Sequence, residues 1–301
     1  MGKNQLSRKT VLNDKKSEHL ILIREATPYH PSAVFRKGDV LIKETGAWAP
    51  SVHALLRHLE AEGFSAAPSV IGSGFDEQGR ETISFIEGEF IDPGPWSLEA
   101  SFEIGMLLRK LHEATASFRP PSNAIWYDWF GRKLGSPTIY GHCDFASWNI
   151  VARKKMPFAI IDWEYAGPVD PMVELAQACW LNAKLHDDIV AEIEGLPPVA
   201  ERADQLKAIV DGYELPKAKR NGFVSQIAEF IIFAAANEAD EARLTIDTPL
   251  EKSIHRFLGD WHGGLGLQHG CSNIGKFFKT RSSNFQVSVY IFEGLVAEIA
   301  R

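Results

Sequence analysis

The sequence predicts an α+β protein in two unequal parts, a small antiparallel sheet followed by a larger, mostly helical region. Three observations carry this. Up to about residue 88, short β-branched and aliphatic runs alternate with Gly, Asp and Lys turn residues. Beyond it, apolar residues recur at helical spacing. At 301 residues the chain is also long for a single hydrophobic core. The boundaries read from the pattern are a polar leader over 1–18 that lies outside the ordered fold, a sheet lobe over 19–88 and a helical lobe over 89–301.

HLILIRE at 19–25 reads as a buried strand. SAVFR at 32–36, a Lys37–Asp39 turn and VLIKE at 40–44 read as a hairpin. SVHALLRHLEAEGF then sets Val52, Leu55, Leu56 and Leu59 at helical spacing, with Pro50 as a starter and Gly63 as a stop. SVIGSGF and ETISFIEGEF, joined by DEQGR, make a second hairpin. The first helix of the second lobe is SLEASFEIGMLLRKLHEATASF at 97–118. Ser97 is its N-cap, and Phe102, Met106, Leu107, Leu111 and Ala114 form its core stripe. After RPPSN comes the loop HCDFASWN at 142–149, a strand FAII at 158–161, and a helix from Pro171 carrying VELAQACWLNAKL. Weaker helical patterns cover 186–195, 199–214, 223–244 and 249–261.

Hydrophobic residues make up 45% and charged residues 24%, the values of a folded protein. A net charge of -7 disfavours a nucleic-acid partner, which needs clustered Lys and Arg; it fits a cationic small molecule or simply a soluble surface. Three cysteines without a CxxC pair indicate neither a disulfide framework nor a zinc site. No apolar run approaches the roughly 20 residues of a membrane span, and the basic N-terminus lacks a secretory apolar core. A soluble, cytoplasmic protein without a membrane partner is expected.

The chemistry concentrates in HCDFASWN and IDWEYAGPVDP. Asp144 lies five residues before Asn149, which lies thirteen before Asp162. Those separations match the protein-kinase order of catalytic Asp, metal-binding Asn and second metal-binding Asp. The strand at 158–161 would carry Asp162 back to the level of the loop. Two carboxylates and an amide suit magnesium, a hard cation that takes oxygen ligands. His142 alone is an ordinary core histidine; the joint spacing gives it weight.

HCDFASWN with IDWEYAGPVDPMVELA resembles the aminoglycoside phosphotransferase family of kinase-like enzymes, whose pattern is HGDxxxxN followed by IDWExAxxGDPxxDLA. The resemblance extends to WAPSVHALLRHLEAEGF, ETISFIEGE and LLRKLHEAT, about residues 32–182. It implies a two-lobed protein-kinase-like fold, ATP as donor and Mg2+ as cofactor. It also implies a small-molecule hydroxyl acceptor, an aminoglycoside or the substrate of a choline, homoserine or sugar-amine kinase. Carried over by position, Asp144 is the catalytic base and Asn149 and Asp162 are metal ligands. His142 and Asp170 support the loop, together with Glu174. Lys43 contacts nucleotide phosphates, and Phe85, Glu87 and Gly88 present backbone to adenine. With an ordinary pKa of about 3.9, Asp144 would be a weak base whose value lies in aligning the hydroxyl.

The departures are equally specific. Cys143 and Val169 replace glycines of the pattern, which implies an altered loop backbone or negative φ at both. Glu174 replaces Asp. No glycine-rich lid precedes the first hairpin, and Val52 and His53 stand where a helix Glu would pair with Lys43. A non-catalytic nucleotide-binding protein of the same fold is the alternative from another class; retention of Asp144, Asn149 and Asp162 together opposes it. HRFLGDWHGG at 255–264 fits no metal-ligand spacing, and GGLGLQHG at 263–270 follows no convincing strand. The acidic run at 236–247 reads as a solvated face, and Trp126, Trp129, Trp148 and Trp163 as packing.

Overall fold

In the computed structural model, which describes residues 19–26, 32–92, 94–186, 191–192, 194–241 and 243, the two early hairpins merge into one sheet. Its strands are β1 (Ile21–Arg24), β2 (Val34–Lys37), β3 (Val40–Lys43), β4 (Val70–Phe75) and β5 (Glu81–Ser84). All neighbours are antiparallel, in the order β1-β2-β3-β5-β4. Gly38, with φ of 58°, supplies the left-handed residue of the tight β2–β3 turn. Register places Val34 opposite Lys43, Arg36 opposite Leu41, Leu41 opposite Ile83 and Lys43 opposite Glu81. Because side chains alternate along a strand, these residues share one face.

The sequence inserts helix α1 (Ala49–Ala61) between β3 and β4, yet its compact neighbours are in the second part of the chain. One unit comprises the described chain up to Thr45 with Val70–Phe85. The other comprises Gly46–Ser69 with the described chain from Ile86. Within that second unit His58 Nε2 lies 2.9 Å from the Ala114 carbonyl, and Ser51 Oγ accepts the Ile125 N–H at 2.8 Å.

The helices that follow are α2 (Leu98–Thr115), α3 (Pro171–Asn182), α4 (Val199–Gly212) and α5 (Lys217–Glu241). Ser97 caps α2 by accepting the Ala100 N–H, and Asp170 caps α3 by accepting that of Met172. The stripe expected on α2 is borne out at Leu111 and corrected elsewhere. Its buried face is Ala100, Ser101, Ile104, Gly105, Leu108, Leu111, His112 and Thr115, while Phe102 is 40% exposed. The reason is a close backbone crossing: a Cβ on Gly105 would strike the Ile209 carbonyl, and one on Gly212 that of Phe102. Small residues therefore define the contact face and turn the larger Phe102 outward. Helix α5 also starts six residues ahead of the expected 223, because its first turn, KAKR, is charged and carries no apolar signal.

Two short ribbons complete the architecture, β6 (Ile139–Gly141) with β9 (Gly167–Val169), and β7 (Ile150–Arg153) with β8 (Met156–Ile160). The leader, residues 187–190 and 193 of the 186–195 pattern, the helix expected at 249–261, both tracts at 255–270 and residues 271–301 lie outside the described residues. Among the described residues no helix is long and apolar enough to cross a membrane. Cys143 and Cys179 are buried free thiols.

Candidate active site

The loop from His142 to Asn149 leaves β6 and enters β7, and the β7–β8 ribbon returns the chain to it. Ile150 pairs with Ile160, and the Ile161 N–H donates to the Asn149 carbonyl at 2.9 Å. This register brings Asp162 beside Asn149. His142 closes the arrangement from the other side: its Nδ1 accepts the Asp144 N–H at 3.2 Å, and its Nε2 donates to the Ile161 carbonyl at 2.9 Å. The ring is buried and stands edge-on to Trp163, 4.8 Å between centroids. Burial holds its pKa below the ordinary 6.5, outweighing the Glu174 charge and the Ile161 hydrogen bond, so the neutral form with Nε2 protonated is the one that fits.

Asn149 turns its amide nitrogen onto Asp144, donating to Oδ2 at 2.7 Å and to the backbone carbonyl at 3.0 Å. Its Oδ1 is thereby left as the acceptor end of the amide. The Asp144 carboxyl is pushed up to about 7, first by desolvation and then by the Asp162 charge, against hydrogen bonds from Asn149 and Trp148. Asp162 takes left-handed backbone, φ 62° and ψ 66°, which Asp tolerates better than most residues. Its carboxylate is close enough to disfavour charge on Asp144. Two carboxylates and an amide oxygen in a half-buried site form a donor set suited to a hard divalent cation.

The turn at Cys143 has φ of 64°, so the expectation of negative φ is overturned at this position. Left-handed backbone costs a residue with a Cβ about 1–2 kcal/mol, and buried hydrogen bonds oppose that cost. Glu174 accepts the Cys143 N–H at 2.7 Å, and Gln177 Nε2 donates to the Cys143 carbonyl at 3.1 Å. Gln177 Oε1 accepts the Phe145 N–H at 3.3 Å, and Asn182 Nδ2 donates to the Phe145 carbonyl at 2.9 Å. The thiol packs without exposure, taking a 3.6 Å contact from Arg132 Nη1. Burial, then the Glu174 charge, raise its pKa well above the ordinary value, so it stays protonated. Val169 lies extended and buried in β9, where no glycine is required.

Glu174 is fully buried and is held from behind by His112 Nε2 at 2.8 Å, whose Nδ1 meets Tyr213 Oη at 2.8 Å. Desolvation alone would raise its pKa; the His112 hydrogen bond and charge and the Cys143 N–H win, leaving it below the ordinary value. Gly141 gives this carboxylate its room, since a Cβ there would strike it. Asp170 does something else. Besides capping α3 it accepts the Ser136 N–H at 2.8 Å, so the contact from this segment to the loop belongs to Glu174. At the far end of the loop, Asp92 Oδ1 accepts from Ser147 Oγ at 2.7 Å and from Lys184 Nζ at 2.6 Å. Arg132 donates to the carbonyls of Tyr127, Tyr165, Ala166 and Pro168, fixing the chain after Asp162.

Of the nucleotide-contact candidates, Lys43 lies on the sheet face with its Nζ 3.8 Å from Glu81 Oε2. The Phe85 N–H donates to the Asp39 carbonyl at 2.7 Å, and its ring lies under the Arg36 guanidinium, 4.0 Å from the centroid. The Glu87 carbonyl accepts from Arg153 Nε at 3.1 Å. Gly88 approaches Val151 and Ala152 too closely for any Cβ. Sequence reasoning did not find Gln177, Asn182, His112, Tyr213, Asp92, Lys184, Arg132 or Glu81. A signal existed for two: Gln177 and Asn182 are amides on the otherwise apolar helix that also carries Glu174. For Asp92 and Lys184, far apart in sequence, none did.

Residues 123–202 match the profile of the phosphotransferase enzyme family. Over 215 residues the chain is 56% identical to the trifolitoxin immunity protein of Rhizobium leguminosarum bv. trifolii, covering 71% of this chain and 82% of that protein. Among solved structures it resembles an amicoumacin kinase in complex with AMP-PNP, Ca2+ and Ami, with TM-score 0.52, 10% identity and coverage of 81% of this chain and 89% of that one. It also resembles a Plasmodium vivax ethanolamine kinase, with TM-score 0.50, 14% identity and coverage of 81% and 82%. At those identities the structural likeness shows the fold, a kinase-like α+β fold with a five-stranded antiparallel sheet ahead of a helical region. With the immunity protein aligned over most of its length, the chain belongs to the phosphotransferase enzyme family.

Proposed function

We propose that this protein is an ATP-dependent phosphotransferase that moves the γ-phosphate of ATP to a hydroxyl of a small molecule. The observation that carries the reading is the convergence of Asp144, Asn149 and Asp162 through the β7–β8 ribbon, braced by His142. Asp144 accepts a hydrogen bond from the acceptor hydroxyl, aligns its oxygen with the γ-phosphorus and takes its proton as the new O–P bond forms and the bond from phosphorus to the β-phosphate oxygen breaks, releasing ADP. Asn149 Oδ1 and the Asp162 carboxylate would hold Mg2+, and a cation there would relieve the Asp162 repulsion that adds to desolvation in raising Asp144. Magnesium, when bound, supplies neutralisation of phosphate charge. Lys43 is assigned to the nucleotide phosphates and Phe85–Gly88 to the adenine. The sheet of residues 19–88 is read as the nucleotide lobe and residues 89–301 as the lobe of the catalytic loop and acceptor. MgATP consumption over a panel of aminoglycosides, choline-like amines and sugars tests the reading. Turnover by the wild type that survives Asp144→Asn undiminished would refute it.

A second reading concerns the acceptor, and the 56% identity to the trifolitoxin immunity protein favours it. On this reading the acceptor is a toxin, and its phosphorylation protects the cell. Trifolitoxin-sensitive cells expressing the wild type should survive while those expressing Asp144→Asn should not. Survival of both would assign protection to binding without phosphoryl transfer.

A further inference from the structure

The first helix carries no acid near its start. Across α1 the one carboxylate is Glu60, in the last turns, and its Oε1 accepts the Ser69 hydroxyl at 3.0 Å. Ser51, Val52 and His53 in the early turns are buried. Kinase-like chemistry nevertheless needs its strand lysine directed by a carboxylate, because a four-carbon stem has many rotamers and few of them serve a phosphate. The sheet itself supplies one here. Lys43 and Glu81 are direct cross-strand partners on β3 and β5, with their charged ends 3.8 Å apart and side chains only 13% and 7% exposed.

We propose that Glu81 is the positioning residue of Lys43, filling from β5 the place that a helix glutamate fills in protein kinases. The proposal rests on the assignment of Lys43 to the nucleotide phosphates. Its physical content is that both ends of the pair are anchored to one hydrogen-bonded ladder: Ile42 faces Thr82 and Leu41 faces Ile83 on the same two strands. The direction of the ammonium is then set by strand register. A merely stabilising cross-strand pair would affect unfolding and leave nucleotide affinity alone.

Calorimetric titration of the full chain with MgATP separates these cases. Lys43→Met and Glu81→Gln should each weaken binding about tenfold, Glu81→Asp by less than about threefold, and the double variant Lys43→Met with Glu81→Gln no more than Lys43→Met alone. Thermal unfolding of every variant verifies the fold, and Glu81→Met replaces Glu81→Gln should the latter not fold. Undiminished affinity in Glu81→Gln while Lys43→Met weakens binding overturns the role of Glu81, as do additive losses in the double variant. Undiminished affinity in Lys43→Met overturns the lysine assignment itself.

Discussion

The loop at 142–149 and the sheet face around Lys43 are held by different physics. The loop is clamped by hydrogen bonds with Glu174, Gln177, Asn182 and Asp92, the first three buried and the last part-buried, each aimed at a particular backbone or hydroxyl group. The charged pair on the sheet is a 3.8 Å contact, beyond hydrogen-bond distance, whose direction comes from strand register. Aimed hydrogen bonds set the geometry in the first region, and the register of two strands sets it in the second. An isosteric change should therefore be costlier in the loop clamp than on the sheet face.

The largest expected effect tests whether the clamped loop serves chemistry. Asp144→Asn keeps the shape and removes the proposed base, so turnover should fall at least about a hundredfold, or about 2.7 kcal/mol, with thermal stability retained. Steady-state rates with an identified acceptor measure it. Next in size is Glu174→Gln, which replaces the charge facing His112 and keeps one acceptor for the Cys143 N–H. It should cost about 2 kcal/mol of stability, the range for a buried hydrogen bond to a charged group, read as a lower urea midpoint. Equal stability of this variant and the wild type would dissolve the contrast between the two regions.

A pH experiment addresses the same clamp. His142 has its pKa depressed by burial, so the folded chain binds fewer protons than the unfolded one just below the ordinary 6.5. Its contribution is fully present above that value and is lost as pH falls beneath it, by at most about 1.4 kcal/mol per pH unit. Glu174, also depressed, adds a loss in the same direction only below its ordinary 4.5. Asp144, raised to about 7, works the other way below that value, because the folded chain then holds a proton that the unfolded chain has lost. The His142 share is therefore read as the change His142→Gln makes to the difference between urea midpoints at pH 7.5 and 5.5, with less loss on acidification in the variant; an unchanged difference would remove His142 from the account. The smallest effect belongs to Cys143→Gly. Relief of left-handed strain opposes loss of a packed thiol, so stability should move by less than about 1 kcal/mol, with turnover unchanged. Cys143 of the native protein should also resist thiol reagents, read by mapping which cysteines are labelled, because its thiol is buried and protonated.

Much of this was legible in the sequence because it is physics between near neighbours. The Pro50, Ser97 and Pro171 helix starts, the Gly38 turn and the loop-ribbon-Asp162 spacing all depend on residues within about twenty positions of one another. So did the return of Asp162 to Asn149, which a two-stranded ribbon enforces. The buried face of α2 was not legible, because it follows from backbone contact between Gly105 and Ile209, and between Gly212 and Phe102. Nor was the survival of a left-handed Cys143, whose cost is opposed by α3 side chains more than thirty residues away.

The sequence by itself determined the order of sheet and helices and the residue types of the candidate site, since periodicity, caps and spacing act along the chain. Only the tertiary structure decided that Glu81 faces Lys43 across two strands and that Asp92 gathers Ser147 and Lys184. It also decided that α1 packs within the second unit despite its place in the sequence. Those choices depend on which distant surfaces bury one another, and burial is fixed by the packed fold as a whole rather than by any local stretch of it.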